Sequence, residues 1–558
     1  MNCPNCNSVI DSDVSVCPEC NYDLTQSSKD DTVIEIVTPD KKEFVKNILS
    51  FIKNIKLKTK VIILSALALI VALVLVVCLL PAPALKNTVV YLKDNSLYFA
   101  NGKSYSTHLL SEHINPAYYD NVSVNENDSS LFYPYDNTQQ GGGYILYQSK
   151  NGKYDTSGVQ IAVDVLNYKT FGDENNLYYM TNNSTLYYRD ESSSHKVSSS
   201  VDKYYVGENT GDVIYQTKEN NVYYKKLNSD ALLIAENVNI LYVSDDAAGL
   251  VYAGENGTLY TRQVGSDPVI LSVGVSDAKI FSQNSIYYLI KSNQTSEDVG
   301  SSSLYTLYYY DGNESYFLGE NVKVIDGGLT KPVMFTRTGL SSDRYQLNII
   351  TDGRIIPVNL AYSQIIDAVV DYKAQKFYYI IGSEEENTLC YADIDFENAS
   401  LKEAVKVDEN VGAINRVNYS YSLTQGDKCY YFKNLNDKGF GDLYIDGTLI
   451  AENVNKSTEI YGFSENRYVF CSDIYTDSNI GTLVAFENDK VHVIGENVID
   501  FKIVNATDVV FITCDDYNQK AGDLKVYKNN QIYFIDSSVS KIGYVTNTIK
   551  EEKAKINE

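Results

Sequence analysis

From about residue 86 onward, apolar and polar positions alternate along short runs, many of them rich in tyrosine, and Asn, Asp and Gly separate the runs. Alternation with a period of two predicts half-buried β-strands, and the separating residues predict turns. Residues 239–275 read as four such runs, NILYVS, GLVYAG, GTLYTRQV and PVILSV. Asn256-Gly257 joins the second run to the third and predicts a two-residue hairpin turn that requires positive φ. The region 86–548 is therefore predicted to be mainly β.

A four-residue ending that closes on valine recurs along this region. The closing valines lie 37, 37, 47, 89, 43, 44 and 41 residues apart, and the interval of 89 holds two units with a degenerate boundary at 355–361. Four short strands in about 40 residues, repeated, are typical of β-propeller blades. The endings are SSSV at 198–201, AENV at 235–238, SVGV at 272–275, GENV at 319–322, DENV at 408–411, AENV at 451–454, GENV at 495–498 and DSSV at 536–539.

The ends of the β region predict a closed arrangement. Residues 88–114 supply about three strands and the segment after Val539 supplies one more, so together they form a shared blade without an open sheet edge. The remaining units begin near residues 115, 167, 202, 239, 276, 323, 362, 412, 455 and 499. That makes about eleven blades, against four to eight in a usual ring. We therefore expect two rings or one enlarged ring, with a β-solenoid as the alternative fold.

A second pattern precedes the strands: residues 61–80 are twenty positions without a charge. At about 1.5 Å of rise per residue, a helix of this length spans the hydrocarbon core of a bilayer. Seven lysines and one acid lie at 41–60, so the N-terminus is predicted to be cytoplasmic and the C-terminal region extracellular. A cleaved signal peptide, with Ala82-Pro83-Ala84 as its cleavage site, is the alternative to this uncleaved anchor.

Four cysteines stand near the N-terminus, Cys3, Cys6, Cys17 and Cys20, in a C-x2-C-x10-C-x2-C pattern. Two such turns place four thiolates around one ion, which predicts a closed, structural zinc site in a reducing compartment. A rubredoxin-like iron site is the alternative. The motif resembles the short zinc-ribbon modules at the N-termini of many bacterial membrane proteins, and the resemblance implies zinc binding but no reaction.

These patterns divide the chain into five segments. Residues 1–24 are the predicted zinc ribbon, and 25–60 are a linker followed by a basic amphipathic segment. That segment would either lie on the inner leaflet or extend the transmembrane helix and only position it. The transmembrane helix is 61–80, the repeats are 86–548, and 549–558 form a charged tail. In blade length and strand count, the repeats are similar to extracellular bacterial propellers of the TolB-like kind. That resemblance implies a fold and leaves the function open.

The net charge of the chain narrows the class of molecule that it is expected to bind. The chain has 47 basic and 72 acidic side chains, of which residues 1–60 hold 8 and 9, so the rest carries a net charge of −24. This sign excludes a nucleic-acid-binding surface as the default expectation. Several loops between second and third strands are acidic, which suggests a basic partner or, more weakly, calcium. The acidic residues are Glu297, Asp298, Glu384, Glu385, Glu386, Asp437, Asp442, Asp473, Asp477, Asp515, Asp516 and Asp523.

Candidate chemistry in the β region is sparse. The four histidines, His108, His113, His195 and His492, fall in different units, and no nucleophile-elbow, zinc-protease or phosphate-loop motif is present. The four cysteines of the last units are expected to be buried thiols rather than disulfides. The tyrosines are expected to pack in the core with their hydroxyls at its edge. The favoured function is a membrane-anchored extracellular binding or sensing protein; alternatives are a cell-envelope glycan binder and an ectoenzyme of unknown reaction.

Overall fold

The structure is a computed structural model that describes residues 87–545 apart from short gaps. The chain divides into two units, 1–81 and 82–558, and every described residue belongs to the second. The predicted zinc ribbon, juxtamembrane segment, transmembrane helix and charged tail therefore lie outside the described residues, and they stay predictions. The gaps are residues 102–104, 113, 126–129, 136–141, 150–157, 173–175, 296–302, 328–332, 339–345, 352, 362–364, 372–373, 383–386, 420–428, 465–466, 473–479, 489 and 516–519.

The regular secondary structure of the described residues is almost entirely β-strand, as the alternating pattern predicts, with 3-10 turns at Pro116–Tyr118 and Glu255–Gly257. The strands of the first half are β1 Val89–Lys93, β2 Ser96–Asn101, β3 Ser106–Ser111, β4 Ser123–Asn125, β5 Ser130–Tyr135, β6 Tyr144–Ser149, β7 Val159–Phe171, β8 Asn176–Thr181, β9 Leu186–Arg189, β10 Ser194–Ser198, β11 Val201–Val206, β12 Val213–Thr217, β13 Val222–Lys225, β14 Ala231–Ala235, β15 Asn239–Val243, β16 Gly249–Ala253, β17 Leu259–Gln263, β18 Val269–Ser272, β19 Val275–Ser282, β20 Ser285–Thr295 and β21 Ser303–Tyr310. Those of the second half are β22 Ser315–Gly327, β23 Val333–Thr338, β24 Gln346–Thr351, β25 Arg354–Ala361, β26 Ile365–Asp371, β27 Lys376–Ile381, β28 Thr388–Asp395, β29 Ser400–Leu401, β30 Val405–Glu409, β31 Val411–Arg416, β32 Asn418–Tyr419, β33 Cys429–Lys433, β34 Phe440–Ile445, β35 Thr448–Asn455, β36 Tyr461–Ser464, β37 Arg467–Cys471, β38 Gly481–Glu487, β39 Lys490–Ile503, β40 Asp508–Thr513, β41 Gly522–Lys528 and β42 Gln531–Val545.

Apart from the two-residue strands β29, which pairs with β28, and β32, which pairs in parallel with β36, the strands pair in antiparallel groups of four, each called a blade from this point. Blade 1 is β4, β5, β6 and the first half of β7; blade 2 is the second half of β7 with β8, β9 and β10. Blades 3 and 4 are β11–β14 and β15–β18, and β22 is shared between blades 5 (β19–β22) and 6 (β22–β25). Blade 7 is β26, β27, β28 and β30, and blade 8 is β31, β33, β34 and β35. Blade 9 is β36–β38 with the first half of β39, and blade 10 is the second half of β39 with β40, β41 and the first half of β42.

Blade 11 joins the two ends of the β region. The second half of β42 pairs antiparallel with β1, placing Val89 opposite Val545 and Tyr91 opposite Ile542, and β2 and β3 complete the sheet. The predicted shared blade and the count of eleven four-stranded units are therefore confirmed. Closure of this kind removes an unpaired sheet edge at each terminus.

Packing between blades follows the order of the chain and returns to its start. The described residues form eleven hydrophobic clusters, and each cluster draws its buried side chains from two consecutive blades, including blades 11 and 1. Two separate rings would each need a hydrophobic cluster that joins the last blade of the ring to its first. Among the described residues, the only cluster between blades that are not consecutive in the chain joins blades 11 and 1. The propeller-like fold is thus one cycle of eleven blades, which favours the enlarged ring over two rings.

The recurring ending is the corner between one blade and the next. Its closing valine is buried at seven of the eight endings and half-buried at Val275, and the residue before that valine has positive φ at every ending. Only glycine enters this left-handed region without strain, and asparagine is among the few other residues that tolerate it. The requirement explains why the endings carry Asn, Gly or Ser at this position. The corner residues are Ser200, Asn237, Gly274, Asn321, Asn410, Asn453, Asn497 and Ser538.

A substitution at one corner tests this account. Asn237 is exposed and has φ of 53°, while Val238 beside it is buried and donates its N–H to the carbonyl of Asn220 at 3.1 Å. Asn237→Val should lower the free energy of unfolding by about 1–2 kcal/mol, because a β-branched residue is strained in the left-handed region. Asn237→Gly is the matched control and should leave urea unfolding almost unchanged. Equal losses in both variants would contradict the conformational explanation.

Carboxylates add polar links across some corners. Tyr91 and Lys93 on β1 donate to the carboxylate of Asp536 at 2.8 and 2.6 Å, which ties blade 11 to the ending of blade 10. Asp536 is the first residue of the ending DSSV. The same arrangement recurs where blade 7 meets blade 8, with Asp408 of DENV and the donors Tyr431 and Lys433.

Candidate interaction surfaces and cavity

The first strands of neighbouring blades lie against each other. The Asp500 carboxylate on β39 accepts the backbone N–H of Ile542 on β42 at 2.9 Å, and Asp367 on β26 accepts that of Ile414 on β31 at 3.3 Å. In a propeller-like arrangement, the strands that approach each other most closely form the inner edges of the blades. The fourth strands, at the other edge of each sheet, therefore form the outer edges.

Exposed apolar side chains are concentrated on these outer edges. Of the 21 large apolar side chains exposed in the described residues, 17 lie on fourth strands. Scattered exposed apolar residues are ordinary, but repetition on one strand of nearly every blade is not explained by chance exposure. The 17 are Val159, Val163, Leu232, Leu233, Val269, Ile270, Tyr316, Phe317, Ile355, Val405, Val407, Leu449, Val491, Val493, Ile532, Tyr533 and Phe534.

Blades 9 and 10 carry the densest part of this surface, called the outer patch: Val491 and Val493 on β39, and Ile532, Tyr533 and Phe534 on β42. Their exposed fractions run from 46% to 62%. Positions two apart on a strand share one face, so each strand presents a pair of apolar side chains. The first half of β42 pairs with β41 on one side, and no strand of the described residues pairs with its other side. The outer patch therefore combines apolar side chains with an open strand edge.

A cavity of about 660 Å³ lies at the opposite, inner edges of blades 9, 10 and 11. Glu459 is exposed at its mouth, while Asp500 is half-buried farther along its wall. The rings of Tyr461 and Phe501 meet edge to face, with centroids 5.6 Å apart and an interplanar angle of 83°. The cavity volume falls within the range that holds small ligands.

Hydrogen bonds and burial set the charge of this cavity. Burial raises the pKa of Asp500, an effect that its hydrogen bond from Ile542 and the charge of Lys502 partly offset. The Lys502 ammonium donates to the carbonyl of Gly543, on the neighbouring blade. Burial also raises the pKa of the Cys471 thiol to about 12, so that side chain is neutral at physiological pH. The charged groups of the lining are thus two carboxylates and one ammonium.

The predicted acidic loops are described only in part. Asp437 is exposed between β33 and β34, and Asp515 is exposed after β40, so both occupy the predicted loops between second and third strands. Asp442 and Asp523 lie on the third strands β34 and β41 and not in loops, contrary to the prediction; Asp442 accepts from the Asn434 amide at 2.7 Å, and Asp523 lies 3.9 Å from Lys525. The other residues of the set lie outside the described residues: Glu297, Asp298, Glu384, Glu385, Glu386, Asp473, Asp477 and Asp516. Within the described ranges, no group of three or more His, Cys, Asp or Glu side chains is placed to hold a metal ion.

Tyrosines of the second and third strands pack against each other in pairs. In five blades the rings stack with centroids 5.0–5.3 Å apart and interplanar angles of 9–13°. One ring of each pair is buried and the other is half-buried, so the ring faces contact each other and the core. This is the packing predicted for the tyrosines. The pairs are Tyr179–Tyr187, Tyr215–Tyr223, Tyr252–Tyr260, Tyr288–Tyr308 and Tyr431–Tyr444.

One histidine has the partners of a catalytic triad but not their arrangement. His195 lies 2.9 Å from the Ser193 hydroxyl and 3.3 Å from the Asp190 carboxylate, and both contacts use Nε2. A base that takes a proton from serine while a carboxylate orients it needs both ring nitrogens. All three residues belong to one exposed hairpin, so the contacts stabilise a turn.

The remaining predictions have mixed outcomes. The four cysteines of the last units are thiols and not disulfides, as predicted, and three of them are buried while Cys471 is half-buried. Cys3, Cys6, Cys17 and Cys20 lie outside the described residues, so the zinc site stays a prediction. Among the described residues, no helix is long and apolar enough to cross a membrane; residues 61–80 are not among them.

No protein-family model matches the chain, and no curated protein matches it. Solved structures show distant likenesses. A eukaryotic initiation factor has 10% identity and a TM-score of 0.35, over 83% of this chain and 99% of that one. PorZ, a surface component of the type-IX secretion system of Porphyromonas gingivalis, has 13% identity and a TM-score of 0.23, over 81% and 80%. Hsv2 of Kluyveromyces lactis has 7% identity and a TM-score of 0.25, over 52% and 99%.

Proposed function

We propose that the chain is a single-pass membrane protein that displays its eleven-bladed domain outside the cell and binds a protein partner there. The concentration of exposed apolar side chains on outer edge strands carries the proposal, because such repeated exposure marks interaction sites. Anchoring rests on the uncharged run at 61–80 and on the lysines before it.

The outer patch suits a partner segment in extended conformation. An added strand would pair its backbone with the open edge of β42 and place alternate side chains against Ile532 and Phe534. Apolar residues at alternating positions would fill that face, and basic flanking residues would suit the net charge of −24 outside residues 1–60. The partner is therefore proposed to present an apolar strand with basic flanks.

The cytoplasmic end has a structural role in this proposal. Four thiolates from Cys3, Cys6, Cys17 and Cys20 would hold one zinc ion with no open position for water or substrate. Zinc binding would fold a segment that is too short to form a core of its own. A contact with a cytoplasmic protein is compatible with this role.

Site-specific photo-crosslinking on intact cells tests the proposal. A photoreactive phenylalanine analogue at position 534 of the full chain should form a crosslinked protein complex, because that side chain is 62% exposed on the outer patch. The same analogue at Lys196 is the matched control. That residue is exposed on the fourth strand of blade 2, which carries no exposed large apolar side chain among its described residues. Protease added to intact cells should digest the complex.

Two further results decide the outcome. The double variant Ile532→Ser, Phe534→Ser should abolish partner binding and change the free energy of unfolding by no more than about 0.5 kcal/mol, as expected for surface positions. Equal crosslinking at positions 534 and 196 would contradict a role for the outer patch. Resistance of the domain to external protease would contradict its proposed location.

A further inference from the structure

The cavity between blades 9, 10 and 11 is separate from the outer patch. It opens at the inner edges of the blades, whereas the outer patch lies at the other edge of the same sheets. Its lining also differs in chemistry, since it includes the carboxylates of Glu459 and Asp500, whereas the outer patch consists of apolar side chains. The inference drawn from it therefore does not rest on the proposed function.

The charged side chains of the cavity lining indicate which class of ligand it can bind. The Lys502 ammonium is hydrogen-bonded to Gly543, and the Tyr461 hydroxyl donates to the Glu459 carboxylate at the mouth. The Asp500 carboxylate accepts the backbone N–H of Ile542, and burial disfavours its ionised form more than the nearby charges of Lys502 and Lys541 favour it. The ionised form of a partly buried carboxylate is stabilised by a cation that pairs with it.

The aromatic and apolar side chains of the lining narrow the class of cation that can bind. Tyr461 and Phe501 present aromatic surface beside the two carboxylates, and aromatic rings attract organic cations through the negative charge of their faces. The thiol of Cys471 and the aliphatic side chains of Val498 and Ile503 add apolar surface. An alkyl chain would contact that surface while its charged end reached the carboxylates.

We propose that this cavity binds a primary alkylammonium group, with the half-buried Asp500 as its counter-ion and Glu459 as the carboxylate at its entrance. A free aliphatic amine and the side chain of a lysine in a partner protein present the same chemistry. The cavity of about 660 Å³ has room for either.

Calorimetric titration of the full chain in detergent micelles tests the proposal. The probes are cadaverine and Nα-acetyl-lysine amide, and Nα-acetyl-norleucine amide is the uncharged control. Saturable binding of at least one amine, and none of the norleucine compound, is the expected result. Binding of cadaverine alone would indicate a free amine as the natural ligand, and binding of the lysine amide alone would indicate a lysine side chain. Absence of saturable binding by both amines, or equal binding of norleucine amide, would overturn the proposal.

Variants separate this site from general attraction of cations to an acidic domain. Asp500→Asn keeps an acceptor for the Ile542 N–H and should weaken amine binding at least tenfold. Asp437→Asn removes an exposed carboxylate from a loop of blade 8 and should leave the affinity unchanged. Because Asp500 is half-buried, thermal unfolding checks that its variant folds. If Asp500→Asn does not fold, Glu459→Gln at the exposed mouth is the variant that tests the assignment. It should bind the amine about threefold more weakly than the wild type. The assignment would be refuted if the tested variant, Asp500→Asn or Glu459→Gln, bound the amine with unchanged affinity. It would also be refuted if Asp437→Asn lost as much affinity as that variant.

Discussion

Replacing Asp508 with alanine should lower the free energy of unfolding by about 3–5 kcal/mol, the usual cost of removing one member of a buried ion pair. Asp508 is fully buried on β40. Its carboxylate accepts hydrogen bonds from Tyr105 at 2.7 Å, from Lys528 at 2.9 Å and from Thr507 at 2.6 Å. Lys528 belongs to the same blade, whereas Tyr105 precedes β3 of blade 11. Removal of the carboxylate leaves the half-buried Lys528 ammonium without its counter-ion, and the buried Tyr105 hydroxyl without its acceptor, at the junction that closes the ring.

Urea unfolding measures this loss, and pH provides a check on its cause. Burial raises the pKa of Asp508, but the hydrogen bonds from Thr507, Tyr105 and Lys528 outweigh it and hold the pKa below 3.8. A carboxyl with a lowered pKa stabilises the fold above its unfolded pKa and loses that contribution as the pH falls through and below it. The gap between wild type and variant should therefore shrink as the pH falls below 3.8.

Asp523→Ala is the matched control for Asp508→Ala. Asp523 lies on β41 of the same blade, and its side chain is 47% exposed and 3.9 Å from the Lys525 ammonium. An exposed pair of this kind contributes about 0–1 kcal/mol. A loss in Asp508→Ala no larger than in Asp523→Ala, or one that does not depend on pH, would show that the buried carboxylate is not what stabilises this junction.

Much of the fold was predictable because its signals are local. Asn256 and Gly257 have φ of 57° and 67°, as the predicted hairpin requires. The valine endings mark the corners because one residue in each must enter the left-handed region. The unit that begins near residue 167 was predicted, but its ending was not recognised: Asp164 has φ of 54° before the buried Val165. Its spacing of 36 residues from Val201 was the available signal, but the sequence AVDV lacks the Asn, Gly or Ser of the other endings.

The ring and the candidate sites depend on contacts that no local pattern encodes. Strand count alone left one ring and two rings open, because the choice depends on which blades share a hydrophobic cluster. The cavity brings Glu459, Asp500 and Val545 together from three blades, and the sequence spacing of these residues carries no such information. The outer patch was missed because Val491 and Ile532 follow the same alternating pattern as buried strand residues. Their exposure follows from their place on the edge of a sheet.

Deleting the strands that close the ring should destabilise the protein more than any single substitution elsewhere in it. Deleting residues 88–112 from the full chain removes β1, β2 and β3 and leaves the second half of β42 without its partner strand. It also removes the side chains that blade 11 contributes to its clusters with blades 10 and 1, including the fully buried Tyr91 and Phe99. Losing a single large aromatic side chain from a core costs about 3–5 kcal/mol.

We therefore expect the deletion to abolish the protection from hydrogen exchange of the backbone amides at 541–545 and to unfold blades 10 and 1 at lower urea concentration than the blades opposite them. Amides in an unpaired strand exchange through local opening, whereas those in a paired core strand exchange through larger unfolding events. Deletion of residues 546–558 is the control, because it leaves the pairing of β42 with β1 intact. Retained protection at 541–545 in the chain without β1 would mean that the terminal strands do not close the ring.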